Sequence, residues 1–306
     1  WGRTNLTEGD VVLLTMLEHH ANIVPWQQLA AERGVEIRWI PVDDEGCLEL
    51  TNLDDLLNGA RLLAVTAASN VTGALPPIRR LTDAAHAVDA TVLVDASQWV
   101  PHQPSDITAW GADFVAVTGH KMLGPTGIGA LWGRQELLSA MPPFLGGGSM
   151  IQNVTVDGFT PADVPTRFEA GTQPISEIVG WHASIDYLNQ LGMETIAAHE
   201  QHLTAYALRT LVDRFGDDLT IHGPPSVENR GGTLSLAYRD IHPHDLSQVL
   251  DQHGVCVRAG HHCAKPLMKV LGVSATARAS LYLYNDESDV DALADALAAA
   301  GEFFKF

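Results

Sequence analysis

Lysine is scarce in this 306-residue chain: Lys121, Lys265, Lys269 and Lys305 are the only four. Basic residues number 18 against 37 acidic ones, a net charge of −19 with histidine neutral. That balance leaves no basic stripe for a phosphate backbone, so nucleic acid is excluded as an expected partner. The excess acid reads as a solvated surface that favours solubility. Long apolar runs are also missing. Charge or glycine interrupts each one well short of the ~20 residues a membrane helix needs, and no membrane role is expected. Trp1 is not followed by a basic region and an apolar stretch, so no secretory leader is read there. Cysteine is limited to Cys47, Cys256 and Cys263. An odd, widely spaced set argues against a disulfide scaffold and for a reducing, cytoplasmic setting.

What is present is a core-forming chain, 46% hydrophobic, long enough for two lobes. We expect a larger lobe over 1–191 and a smaller α+β lobe over 192–306. Short apolar runs at 11–15, 35–40, 62–66, 91–94 and 113–117 read as strands. Helical patterns separate them, near Trp26 and Leu29, at 53–57 and at 77–88. Near-continuous apolar strands divided by helices predict a mostly parallel α/β sheet covered on both faces. The run 128–132 reads as a returning strand that could pair antiparallel. Residues 144–165 carry few helical signals, and their three successive glycines lack the spacing and lysine of a nucleotide loop. Two helices, 175–191 and 193–215, precede a region of strands at 220, 231–237, 255–257 and 277–282 and helices after His244 and over 288–299. Cys47 reads as a turn residue. Cys256, flanked by valines, reads as a buried small hydrophobe.

Loops that follow parallel strands gather at one sheet edge, where ligands bind. His19, Asn70, Asp95, Gln98, His120 and Lys121 all fall in or just past such loops. Cys263 differs from the other cysteines. It sits in Arg258-Ala-Gly-His-His-Cys263, followed by Ala-Lys-Pro266, a polar setting that predicts exposure and favours thiolate. Metal binding through His261, His262 and Cys263 is the rival reading. It is the poorer one, because adjacent residues seldom all reach one ion and no Cys-x-x-Cys partner exists. No metal is expected. A carboxylate, a lysine and a thiol in these settings suggest a carbonyl cofactor held as a Schiff base with sulfur chemistry beside it.

Five stretches carry a resemblance. They are Glu18-His-His-Ala-Asn-Ile-Val-Pro-Trp26, Val94-Asp-Ala-Ser-Gln98, Gly119-His-Lys-Met-Leu-Gly-Pro-Thr-Gly127, Phe168-Glu-Ala-Gly-Thr172 and Arg258-Ala-Gly-His-His-Cys263. In this order, spread over nearly the whole chain, they resemble the SufS-type cysteine desulfurases of the class V aminotransferases, pyridoxal-phosphate enzymes of fold type I. The resemblance implies a large domain with a mostly parallel, seven-stranded-type sheet and a small domain carrying the cysteine loop. It also implies that about 100 residues of the family pattern, among them a phosphate-binding turn, lie ahead of the segment matching Trp1.

The resemblance further implies pyridoxal 5'-phosphate bound to Lys121, which then serves as the base for the substrate Cα proton. Asp95 would pair with the pyridine nitrogen, His19 stack on the ring and Gln98 bond the phenolic oxygen. Thr118 and His120 would hold the phosphate, with Thr172 reaching it across a homodimer interface. Asn70 would lie beside the ring or hold the substrate carboxylate, Arg278 would clamp that carboxylate and Arg258 would order the cysteine loop. His20 carries no implied role and reads as packing. The implied reaction takes L-cysteine to L-alanine and leaves a persulfide on Cys263, for a SufE-like or SufU-like acceptor and iron–sulfur cluster assembly. Selenocysteine lyase or cysteine-sulfinate desulfinase chemistry, or a silent fragment acting only through protein interaction, are the alternatives.

Overall fold

The computed structural model describes residues 1–304. Helix α1 (Gly2–Asn5) leads into β1 (Val11–Thr15), α2 (Val24–Arg33), β2 (Glu36–Ile40), α3 (Leu53–Leu57) and β3 (Ala60–Thr66). Then come α4 (Ile78–His86), β4 (Thr91–Asp95), α5 (Ile107–Trp110), β5 (Phe114–Thr118) and β6 (Gly129–Gly133). These strands form one sheet in the order β2-β1-β3-β4-β5-β6. The first five run parallel and β6 returns antiparallel along β5.

The near-continuous apolar runs within the inner strands follow from burial on both faces. Alternate residues of β1 serve different layers: Val11 and Leu13 pack with Leu53, Leu57, Ile78 and Leu81, whereas Val12 and Leu14 pack with Leu6 and Leu29. All five positions of β1 are buried, and its one polar residue, Thr15 at the carboxyl end, is paired through its hydroxyl.

Beyond α6 (Gln135–Ala140), the stretch expected to lack helix forms a two-stranded hairpin of β7 (Ile151–Val154) and β8 (Phe159–Pro161). Two long helices follow, α7 (Ile175–Leu191) and α8 (Met193–Phe215). The chain then builds β9 (Leu219–His222), β10 (Thr233–Tyr238), α9 (Pro243–Gln252), β11 (Arg258–Gly260), α10 (Lys265–Val270), β12 (Thr276–Ser280) and α11 (Glu287–Phe303). The last four strands make a wholly antiparallel sheet, β11-β12-β10-β9. Its core joins Leu234, Leu236 and Tyr238 to Leu203, Ala207 and Leu211 of α8 and to Val290, Leu293 and Leu297 of α11. A capping box at Asp286 and Asp289 fixes the start of α11.

One approach between the sheets depends on glycine. Gly223, just past β9, has φ of 113°, and a Cβ there would collide with the backbone oxygen of Thr72.

Two expectations fail in one place. Residues 255–257 are not a strand; the strand is β11, which begins at Arg258. Cys256 is exposed, not buried. Val255 and Val257 both pack against the smaller core, so in extended chain the residue between them faces away.

Candidate active site

The strand order sets the location. From β1 the chain moves to β2 on one side and then to β3 on the other, so the crevice between the carboxyl ends of β1 and β3 is a topological switch point. Glu18 lies at the base of that crevice, fully buried. It accepts hydrogen bonds from the Thr15 hydroxyl (2.6 Å), Asn22 Nδ2 (2.7 Å) and the Thr66 N–H (2.9 Å). Burial pushes its carboxyl up to about 8, against the pull of those three bonds, and the nearby Asp95 charge adds to the rise.

His19 follows directly. Its Nδ1 accepts the Ala21 N–H at 3.1 Å, which leaves the proton on Nε2 in the neutral ring. Burial, and then the positive charge of Lys121, hold this imidazole below its usual range. Asp95 ends β4, and its Oδ1 accepts the Ser97 N–H at 2.9 Å. Lys121 closes the 3₁₀ turn after β5. Burial lowers its pKa; Asp95 opposes this, and the charges of Arg278 and Arg258 add to it. An amine biased toward the neutral form is the state that a carbonyl requires. Thr118 and His120 meet beside it, Oγ1 to Nδ1 at 2.8 Å.

The second half of the site comes from the small sheet. Arg258 on β11 and Arg278 on β12 are direct cross-strand partners. Arg278 Nη1 donates to the Asn70 carbonyl at 2.9 Å, and its buried Nε has no partner. Burial and then the charge of Arg258 lower its pKa. Arg258 Nη2 lies 3.8 Å from Cys263 Sγ, within donor distance of sulfur. The thiol is half-buried, not exposed as the loop's composition suggested, because the loop is tied down on several sides. Asn70 Nδ2 donates to the His262 carbonyl at 2.7 Å, and the His20 N–H donates to the Cys263 carbonyl at 2.7 Å. Buried His262 shares a proton with Thr276 Oγ1 at 2.8 Å. Its burial, followed by the charges of Arg278 and Arg258, lowers its pKa to about 4.

A cavity of about 300 Å³ opens between the halves, lined by Gln98, His102, His120, Lys121, Arg278 and Tyr282 among others. Three features fit a pyridine aldehyde phosphate: a buried lysine amine, a carboxylate at a strand end beside it, and a buried guanidinium with a free donor. Lys121, Asp95, His19, Gln98 and His120 would hold such a group, and Arg278 would meet a substrate carboxylate.

Lys121, His19, Asp95, Gln98, Thr118, His120, Asn70, Arg278, Arg258 and Cys263 therefore converge from two sheets. Thr172 does not join them. It is exposed beside Gln173, which lines a separate cleft with Trp1, Trp26, Leu131 and Phe144.

Sequence reasoning missed three groups. His20 was read as packing, yet it bonds the cysteine loop through backbone and ring. Glu18 went unassigned within its motif. His102, on the cavity wall, is held by buried Glu200, Nδ1 to Oε1 at 3.0 Å. Glu200 was legible in principle, as an acid on the apolar stripe Ile196, Leu203, Ala207, Leu211 of α8.

The class-V aminotransferase family model matches residues 1–293. The chain is 49% identical over 294 residues to a probable cysteine desulfurase of Streptomyces coelicolor, covering 96% of this chain and 70% of that protein. It is 46% identical over 305 residues to a cysteine desulfurase of Haloferax volcanii, covering 99% and 71%. Among solved structures it superimposes on the cysteine desulfurase CsdA of Escherichia coli, in an S-sulfonic acid form, with a TM-score of 0.93 at 36% identity, covering 99% of this chain and 75% of that one. An apo cysteine desulfurase of Thermococcus onnurineus gives 0.92, also at 36% identity, with coverage of 98% and 74%.

Proposed function

The chain belongs to the class-V aminotransferases, pyridoxal-phosphate enzymes of fold type I, and from that premise we propose that it is a cysteine desulfurase of the SufS type. The observation that supports this best is the pair of arginines shared by two reactive groups. Arg258 and Arg278 both bear electrostatically on Lys121, Arg258 reaches Cys263 Sγ, and Cys263 interacts with Arg278. A buried amine and a thiol served by one cationic pair suit a reaction in which a sulfur passes from a bound amino acid to the protein.

In this reading Arg278 clamps the carboxylate of L-cysteine with Nε and a second guanidinium nitrogen, and Asn70 holds Arg278 in place through its carbonyl. Pyridoxal phosphate, when bound, delocalises the electron pair left at the substrate Cα. Asp95 would keep a proton on the pyridine nitrogen, His19 would cover the ring, Gln98 would bond the phenolic oxygen, and Thr118 and His120 would hold the phosphate. Thr172 would complete the phosphate site from a second subunit of a homodimer. The Lys121 amine, which burial biases toward its neutral form, would be the base for the Cα proton. The Cys263 thiolate then attacks the substrate sulfur. An S–S bond forms, the Cβ–S bond breaks with its electron pair going to Cβ, and a proton taken up at Cβ together with return of a proton to Cα from Lys121 gives L-alanine. The balance is thiol plus L-cysteine to persulfide plus L-alanine, with no external oxidant.

Residues 1–191 act in this scheme as the cofactor-binding lobe and 192–306 as the lobe that brings the thiol. The persulfide passes to a SufE-like or SufU-like acceptor for iron–sulfur cluster assembly in the cytoplasm.

The test is alanine formation from L-cysteine by the full chain with pyridoxal phosphate and a reductant. Lys121→Ala should abolish it. Cys263→Ser should remove alanine formation from L-cysteine while sparing turnover of selenocysteine or cysteine sulfinate, which depends less on a thiol. Folded, cofactor-loaded chain that makes no alanine overturns the reading. Equal loss with all three substrates in Cys263→Ser overturns the role of the thiol.

A further inference from the structure

Resting on the desulfurase reading above, we propose that His20 is a positioning residue that docks the Cys263 loop against the carboxyl edge of the large sheet. Two of its hydrogen bonds bracket the thiol. The His20 N–H donates to the Cys263 carbonyl at 2.7 Å, and His20 Nε2 accepts the Lys265 N–H at 3.0 Å. The ring also stacks loosely on His261, with centroids 5.7 Å apart and planes at 32°. His261 Nδ1 in turn accepts the Cys263 N–H at 3.1 Å. Between the two bonds, Ala264 is buried among Leu17, Val71, Leu267 and Met268.

The loop backbone needs this restraint. His262 and Cys263 have φ of 52° and 56°, a left-handed region that residues with a Cβ occupy only when their surroundings hold them there. Asn70 secures His262 from one side. His20 secures Cys263 and Lys265 from the other, across more than 240 residues of sequence. A thiol that must first reach a substrate near Lys121 and then present its sulfur elsewhere needs two loop states. The docked one serves the first task and release of the His20 contact serves the second.

The contact also depends on protonation. Nε2 accepts the Lys265 N–H only while the ring is neutral. The groups facing it are His19, His261, Cys263 and the positively charged Lys265. Burial, then His261 and Lys265, keep the His20 ring below the usual histidine range, so the dock is made at neutral pH and weakens as pH falls.

The experiment uses the full chain loaded with pyridoxal phosphate and compares it with His20→Leu and His20→Gln. Iodoacetamide alkylation is followed site by site by mass spectrometry, with exposed Cys256 as the internal reference, alongside alanine formed in the first turnover. Loss of one acceptor should raise the Cys263-to-Cys256 alkylation ratio about fivefold in His20→Leu, with a matching fall in alanine. His20→Gln, whose amide oxygen can take the place of Nε2, should restore both. In the unsubstituted chain the ratio should rise as pH drops below the usual histidine range, and in His20→Leu it should not. An unchanged ratio in His20→Leu, or no rescue by His20→Gln, overturns the dock. If His20→Leu fails to fold, His20→Gln still decides: its ratio should match that of the unsubstituted chain at neutral pH and, unlike it, stay flat on acidification, and a raised ratio or the same pH response overturns the dock. Absent alanine with the expected ratios supports the dock and overturns the desulfurase reading alone.

Discussion

At the scale of single residues, burial does most of the work in this site. The same desolvation that biases Lys121 toward a neutral amine also holds His262 without a proton down to about 4. For His262 the consequence for stability has a definite sign. The unfolded chain takes up a proton near the usual 6.5 while the folded chain does not, so this histidine costs stability as pH falls from 6.5 toward 4. His262→Gln should be less stable than the unsubstituted chain at neutral pH, through loss of packing, yet lose less on acidification across that window. Urea titrations at several pH values would measure it, and parallel acid limbs for the two proteins would refute it. Glu18 behaves in the opposite sense. Its carboxyl, raised to about 8, is protonated in the folded chain and ionised in the unfolded one between 4.5 and about 8, so its contribution falls as pH rises through that range. Neither effect was readable from residue type, because both depend on which neighbours are buried with the group.

At the scale of elements, periodicity was a reliable guide where one face meets one core. The five parallel strands, the returning β6 and both long helices α7 and α8 lie where the apolar patterns indicated. It failed at 255–257, where two valines suggested a strand and a buried cysteine. Alternation alone would have turned Cys256 outward. The start of α11 shows how local chemistry fixes a boundary. Asp286 accepts the Ser288 N–H at 2.8 Å, and Asp289 reaches back to the Asp286 N–H at 3.1 Å. Asp286→Ala should cost about 1 kcal/mol in equilibrium unfolding, since an alanine cap leaves the Ser288 N–H without its acceptor. Because α11 packs against α8 and α9 in the smaller core, that loss should appear in global unfolding and not only as fraying. No change in the urea midpoint would show that the cap contributes nothing.

At the scale of the whole molecule, charge is the dominant unbalanced quantity. Exposed pairs such as Arg3–Glu32 and Arg79–Asp83 contribute little each, whereas a net charge of −19 repels itself throughout. Raising salt from ~0.05 M to ~1 M shrinks the screening length to a few ångströms, so relief of repulsion should outweigh loss of the pairs. The thermal midpoint should therefore rise with sodium chloride. A flat or falling midpoint would mean that the acidic residues are paired well enough not to repel.

The sequence alone determined the alternation of strands and helices, the sheet edge where ligands gather, and most of the residues there, because periodicity and strand-end position are local properties. His19, Asp95 and Lys121 could be named because each follows a strand of one parallel sheet. Only the tertiary structure decided how Cys263 reaches them. Its loop is held by Asn70 and His20 through contacts that reach across from the large sheet's edge, while Arg258, five residues earlier in the chain, meets its sulfur. His20 escaped notice because it acts through a partner far along the chain, and hydrogen bonding across such a gap leaves no spacing to read; Glu200 was visible as an acid on an apolar stripe, but its partner His102 was not.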